Sequence, residues 1–195
     1  MSLAACAAEP GGDVAPVTSD EPSAAASSTP TPSPAASAFV LPATCEDMIG
    51  DELDQEVAGT DLEVVNASGP EVTEDTWDGS EEFVLLGELG AAACGYHFAE
   101  GGGGVDGTGQ VYTVAAMSPA QEETVTALLE DGDYEMSEED GRTIYVHAGS
   151  FGETADPTVV HELADGVWLS GRRNAGEVGD VQRVVEAIAV NVGAW

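Results

Sequence analysis

Lysine is absent from this 195-residue sequence, and arginine occurs only at Arg142, Arg172, Arg173 and Arg183, against 37 Asp and Glu. A net charge of −33 sets nucleic acid aside as a partner, because that binding rests on Lys and Arg displacing counterions from phosphates. It equally sets aside direct electrostatic attachment to anionic headgroups. No apolar run approaches the ~18 residues that a membrane-spanning helix needs. There is no C-x-x-C pair, so neither a zinc site nor a thiol redox motif has support. No cofactor and no metal is expected.

The first forty-odd residues also have few large aliphatic side chains. From Ala7 to Ala38 the chain is mostly Ala, Ser, Thr and Pro, a composition that cannot bury enough surface to offset its conformational entropy. Thr29-Pro30-Thr31-Pro32-Ser33-Pro34 predicts a locally extended, semi-rigid spacer. Ahead of it, Leu3-Ala4-Ala5-Cys6 has the shape of a bacterial lipobox, an aliphatic residue and two small ones before the cysteine that takes the lipid. No apolar signal region precedes Cys6, and Met1-Ser2-Leu3 looks like an expression remnant, which would reduce the lipobox to Ala4-Ala5-Cys6. The expected organisation is a disordered tether over 1–43 and one acidic domain over 44–195. A domain of about 150 residues buries roughly 68–70% of its unfolded surface, enough for a real core.

With Cys6 lipidated, Cys45 and Cys94 remain, an even number available to pair outside the cytoplasm. Two buried free thiols are the competing reading. A bond closing that loop would tie the first helix to a central strand and stabilise the fold by roughly 4 kcal/mol.

Within the domain, Thr44 and the acids after Cys45 predict a helix through about Gln55. Residues 61–65 and 95–99 read as strands, while 83–89 is ambiguous between strand and short helix. Residues 110–116 form a β-branched and aromatic strand. Ser118-Pro119-Ala120-Gln121 is a helix start with Ser as N-cap, Pro at N1 and Gln at N3, running through Leu129. Strands follow at 134–137, 142–148, 158–163 and 167–172, with turns at Asp140-Gly141 and Asp165-Gly166. Val181, Val184, Val185, Ile188 and Val192 share one face of a last helix over 178–192. The fold class is α+β, an antiparallel sheet packed by about three helices, built as two similar halves.

The lipobox at Cys6, the tether, Cys45 opening the first helix after Leu41-Pro42-Ala43-Thr44, and Cys94-Gly95-Tyr96 in a mid-domain strand resemble a broad group of actinobacterial lipoproteins of unknown function. The resemblance implies an extracytoplasmic compartment, anchored to the outer face of the cell membrane by lipid, and a Cys45–Cys94 disulfide. It implies no activity or ligand.

Four constellations could carry chemistry. His161-Glu162-Leu163-Ala164-Asp165 begins like the H-E-x-x-H of zinc proteases, but Asp165 stands where the second His is needed and Asp-Gly leads straight into a strand. Ala148-Gly149-Ser150-Phe151-Gly152 follows a strand as in the G-x-S-x-G nucleophile elbow, with Asp156 and His161 in suitable chain order, yet no helix follows within reach. The glycine run from 101 to 109 enters a strand rather than the helix N-terminus that phosphate loops use, which makes it a hairpin connection. The acids Asp131, Asp133, Glu135, Glu138, Glu139 and Asp140 lack the Gly and Glu of a calcium loop, those places holding Met136 and Arg142. His97 and His147 could meet on a metal if their strands are neighbours. Arg172-Arg173 reads as an ion-pairing feature rather than an anion site.

No catalytic residue is assigned. The favoured expectation is a lipid-anchored envelope module, attached to the membrane through lipid on Cys6, that binds a protein or small-molecule ligand without catalysis. The alternative is an extracytoplasmic hydrolase, for which His and carboxylate side chains should converge around Ser150 or between His97 and His147.

Overall fold

Strands in this domain alternate their side chains between two covered faces. A computed structural model describes residues 39–51, 55, 62–68, 80–98, 108–149, 156–174 and 176–195, all within one compact unit, Ala36–Trp195. Cys6, the tether before residue 39, most of the glycine run and Ser150 lie outside these residues.

The described elements are helices α1 (Cys45–Ile49), α2 (Glu81–Glu88), α3 (Pro119–Asp131) and α4 (Val178–Val192), and strands β1 (Leu62–Ser68), β2 (Ala92–Phe98), β3 (Thr108–Ala116), β4 (Glu135–Glu139), β5 (Arg142–His147), β6 (Thr158–Ala164) and β7 (Val167–Arg173). The strands make one seven-stranded sheet in the order β1-β2-β3-β7-β6-β5-β4, with every pairing antiparallel. This is the expected α+β class. Two meanders, β1–β3 and β4–β7, meet where β3 pairs with β7.

On one face, Cys94, Tyr96, Tyr112, Val114, Val160, Val167 and Leu169 pack against Cys45, Met48 and Ile49 of α1 and the valine stripe of α4. On the other, Val111, Ala115, Tyr145, Leu163 and Trp168 pack against Phe83 and Leu86 of α2 and Val125 and Leu129 of α3. Each fully buried large apolar side chain contributes about 1.5–3 kcal/mol. Gly171 lets α4 lie close to the sheet, since a Cβ there would come within 2.7 Å of Val181 and 2.8 Å of Val185.

Local signals act where they were expected. Asp140-Gly141 and Asp165-Gly166 both adopt positive φ, as two-residue hairpins of matching twist require. Gln121 Oε1 accepts the Ser118 backbone N–H at 2.8 Å, closing the start of α3. The ambiguous run resolves as helix up to Glu88, with Leu89 as its C-cap; Phe83 and Leu86, three apart, are the buried large side chains of α2. The predicted first helix is interrupted: Gly50, at φ 61°, ends α1, Asp51 and Gln55 are again helical, and Asn191 of α4 donates to the Met48 carbonyl. Four helices are described rather than about three. Edge strand β4 is exposed along its whole length, and its three glutamates oppose pairing with another chain.

Cys45 and Cys94 are bonded, with Cα atoms 5.4 Å apart across a sequence separation of 49. The bond fastens α1 to β2. Replacing both cysteines by alanine should lower stability by about 4 kcal/mol. Urea unfolding followed by circular dichroism would read this as a lower midpoint, whereas an unchanged midpoint would mean that the bond restrains nothing.

Candidate functional site

A cleft of about 250 Å³ opens on the face covered by α2 and α3. Its walls are Ser80, Glu82 and Phe83 at the start of α2, Gly132 to Tyr134 after α3, His147 at the end of β5, Asp156 and Pro157, Val159 and His161 of β6, and Arg172 of β7. Strand register makes this a polar corner of an otherwise apolar face. His161 stands opposite Ser170, and Val159 opposite Arg172.

His161 is buried and held by the indole of Trp168, whose Nε1–H donates to His161 Nδ1 at 3.3 Å. An indole nitrogen only donates, so Nδ1 is the acceptor and the neutral ring carries its proton on Nε2. Nε2 is buried without a hydrogen-bond partner among the described residues. Burial lowers the His161 pKa to about 4, although the nearby Glu82 charge acts in the opposite direction.

His147 is the converse case. Nδ1 lies 3.0 Å from the Asp133 carbonyl and Nε2 lies 2.8 Å from Asp156 Oδ2. Both partners accept, so both ring nitrogens donate and the ring is an imidazolium. The Asp133 carbonyl, then the Asp156 carboxylate, raise its pKa above 6.5. The stabilisation from this clasp is present at low pH and is lost as pH rises through the raised value.

Tyr134 stands between the two, its ring edge-on to His161 at 5.1 Å and to His147 at 6.3 Å. Gly132 leaves room for that ring, since a Cβ there would reach within 2.7 Å of it. The Tyr134 hydroxyl donates to Glu82 Oε1 at 2.9 Å. Burial, with the Glu82 charge added, raises the tyrosine pKa. Burial would also raise Glu82, but its own backbone N–H and the Tyr134 and Ser80 hydroxyls outweigh that and keep it a carboxylate. Burial lowers the Arg172 pKa, and the guanidinium remains a cation because its ordinary value lies so high.

The sequence motifs distribute differently from their enzymatic counterparts. His161 and Glu162 lie on strand β6, not a helix, and face opposite sides of the sheet. Glu162 is buried on the α4 face, paired with Arg142 at 2.9 Å. Gly149 allows a close backbone approach, for a Cβ there would collide with the main chain of Asp156 and Pro157. The glycine run joins antiparallel neighbours β2 and β3, as a hairpin connection does. The hypothetical meeting of His97 and His147 fails on strand order, because β3, β7 and β6 separate β2 from β5, a gap of about 19 Å at the usual strand spacing. Arg172 and Arg173, adjacent on β7, point to opposite faces, and only Arg172 reaches the cleft. Among the described residues no group of three His, Cys, Asp or Glu could hold a metal ion, and no helix is long and apolar enough to cross a membrane.

Tyr134, Glu82 and Ser80 were not anticipated as site residues. One signal was available: the Asp165-Gly166 turn fixes the β6–β7 register, which puts His161 opposite Ser170 and diagonal to Trp168. No protein-family model and no curated protein matches the chain.

The neutral His161 makes a specific pH dependence. Between its folded value near 4 and the ordinary 6.5, the unfolded chain binds a proton that the folded chain refuses, so stability falls as pH falls across that window. Glu162, raised chiefly by burial, acts in the opposite sense and is cancelled by comparison with a variant that retains it. Relative to His161→Gln, the parent should lose up to about 1.4 kcal/mol per pH unit in that range. Parallel stability curves from urea unfolding would show that His161 is not held neutral.

Proposed function

We propose that this chain is an extracytoplasmic, lipid-anchored envelope module that binds a small ligand in the cleft without catalysis. Lipid on Cys6 attaches it to the outer face of the cell membrane, and the Ala/Ser/Thr/Pro tether carries the domain away from the bilayer. The Cys45–Cys94 bond supports an oxidising compartment, in keeping with the resemblance to actinobacterial lipoproteins.

The observation that carries binding over catalysis is the state of the two cleft histidines. A general base needs a ring nitrogen with a lone pair facing the substrate. Both His147 nitrogens donate to fixed acceptors, and the one accepting nitrogen of His161 is taken by Trp168. The His147–Asp156 pair resembles the orienting half of a hydrolase triad, but its imidazole has nothing left to accept a proton from a serine. The cleft therefore offers fixed polar groups and apolar walls.

Native mass spectrometry of the protein extracted from its own envelope tests this reading. The expected spectrum shows a lipid-modified Cys6, an intact Cys45–Cys94 bond and a retained small molecule. An unmodified Cys6 would overturn the anchor. A lipidated chain that carries nothing and takes up nothing from a metabolite extract would overturn the small-ligand function.

A further inference from the structure

Resting on that ligand-binding reading, we infer that the cleft takes a small uncharged molecule whose carbonyl or hydroxyl oxygen accepts the Nε2–H of His161, with the molecule's apolar remainder against Phe83, Val159 and Pro157. Four residues stand in one row across the sheet: Tyr145 opposite His161, His161 opposite Ser170, and Ser170 opposite Thr113. Partners directly opposite share a face, here the one covered by α2 and α3. All four side chains are buried, and Tyr145 Oη, His161 Nε2, Ser170 Oγ and Thr113 Oγ1 have no hydrogen-bond partner among the described residues. Folded proteins pair almost all of their buried polar atoms. A row of four without partners makes a floor that suits a polar occupant.

His161 is the member of that row that lines the cleft. Its Nδ1 takes the Trp168 indole, two residues along β7 from Ser170 on the side away from Arg172. The two nitrogens point apart across the imidazole, so Nε2–H is turned toward the end where Val159 and Arg172 wall the cleft. Tyr134, at 5.1 Å, offers it only a ring, a weaker acceptor than oxygen. A buried donor without an acceptor destabilises the fold, and a bound oxygen relieves it.

Charge selects among acceptors. Glu82 lies in the same cleft. Although burial opposes its ionisation, its own backbone N–H and the Tyr134 and Ser80 hydroxyls keep it a carboxylate. Asp133 adds a second acidic side chain, while Asp156 is matched by His147 at 2.8 Å. A ligand anion would share the cleft with Glu82 and Asp133 in a chain of net charge −33, and like charges repel. An ammonium has no lone pair for Nε2–H and would share the cleft with Arg172, a cation already engaged within the protein. An uncharged oxygen avoids both conflicts, and an N–H or O–H on the same molecule suits the Glu82 carboxylate as acceptor. A volume of about 250 Å³ is the space of about eight waters, so the molecule is small.

Butyramide, 1-butanol, butyrate and butylammonium are close in size and differ in charge and in the oxygen they offer. The full chain, isotopically labelled, would be titrated with each at neutral pH and fixed ionic strength and followed through the His161 Nε2–H signal. Butyramide or 1-butanol should shift that signal saturably, the tighter of the two naming the oxygen. Butyrate and butylammonium should bind at least about fivefold more weakly. His161→Phe keeps a ring and removes the donor. It should weaken the tighter uncharged molecule about fivefold, read from the Tyr134 ring signals, as loss of one neutral hydrogen bond implies. His161→Gln restores an N–H donor and should recover the preference. Butyrate or butylammonium binding as tightly as the uncharged pair would overturn the uncharged class and leave the cleft as a ligand site. No saturable shift with either uncharged molecule up to about 100 mM, where even a millimolar site fills, would overturn the inference, while the ligand-binding reading itself stands or falls on the retained molecule in the native mass spectrum. An unchanged affinity in folded His161→Phe would overturn the role of Nε2–H. The four-molecule series is read on the parent chain, so a variant that fails to fold does not remove the test.

Discussion

The antiparallel ladder between β3 and β7 is the constraint on which the remainder depends. It joins two strand groups that are separate in sequence, and it sets Tyr112 opposite Gly171, Val114 opposite Leu169 and Ala115 opposite Trp168. Because the side-chain period of a strand is two, a slip of one residue would exchange the entire contents of the two faces. Trp168 would then meet α4, and Leu169 would meet α3. Gly171 makes the correct register the close-packed one, since only there can Val181 and Val185 settle onto the strand. The disulfide acts at the other half of the same sheet, pinning α1 over β2, so α1 and α4 together close one face.

The cleft follows from that register rather than from any single motif. Along β6 and β7 the α3-side positions run from apolar, at Leu163 and Trp168, to polar, at His161, Ser170 and Arg172. Where they turn polar the helical cover changes too: α2 begins at Ser80 with its acids, and α3 has just ended at Gly132. The walls are thus an N-terminal turn, a C-terminal loop and the ends of three strands. Within them His147 pairs with Asp156, and the Glu82 carboxylate, still charged, accepts the Tyr134 hydroxyl. Among the described residues the His161 Nε2–H is left without an acceptor at this polar corner.

Much of the fold was legible because its signals are local. The Ser118 to Gln121 start, both Asp-Gly turns and the valine face of α4 each act within a few residues, and each appears where its chemistry put it. The cleft was not legible for the opposite reason. His147, His161 and Arg172 were visible as residue types, but their convergence needs the β5-β6-β7 neighbourhood and the placement of Tyr134 by a distant loop. Glu82 lay beside a segment whose apolar run has no decisive period, so its place at the head of α2 could not be read. The same strand order separates His97 from His147, a meeting that residue types alone left open. The first helix is interrupted within its apolar pattern because Gly50 takes a positive φ, a conformational preference that hydrophobic spacing does not register.

The account turns on the proton positions of two imidazoles, and nitrogen-15 chemical shifts of the histidine rings read them directly. For His161 the account requires one protonated nitrogen, Nε2, and an unprotonated Nδ1, constant from pH 8 down to the neighbourhood of its lowered value near 4. For His147 it requires both nitrogens to remain protonated above the ordinary 6.5. A His161 that carries its proton on Nδ1 would present an Nε2 lone pair to the cleft, and one that becomes charged near pH 6.5 would not be held neutral by burial; either result would contradict the account.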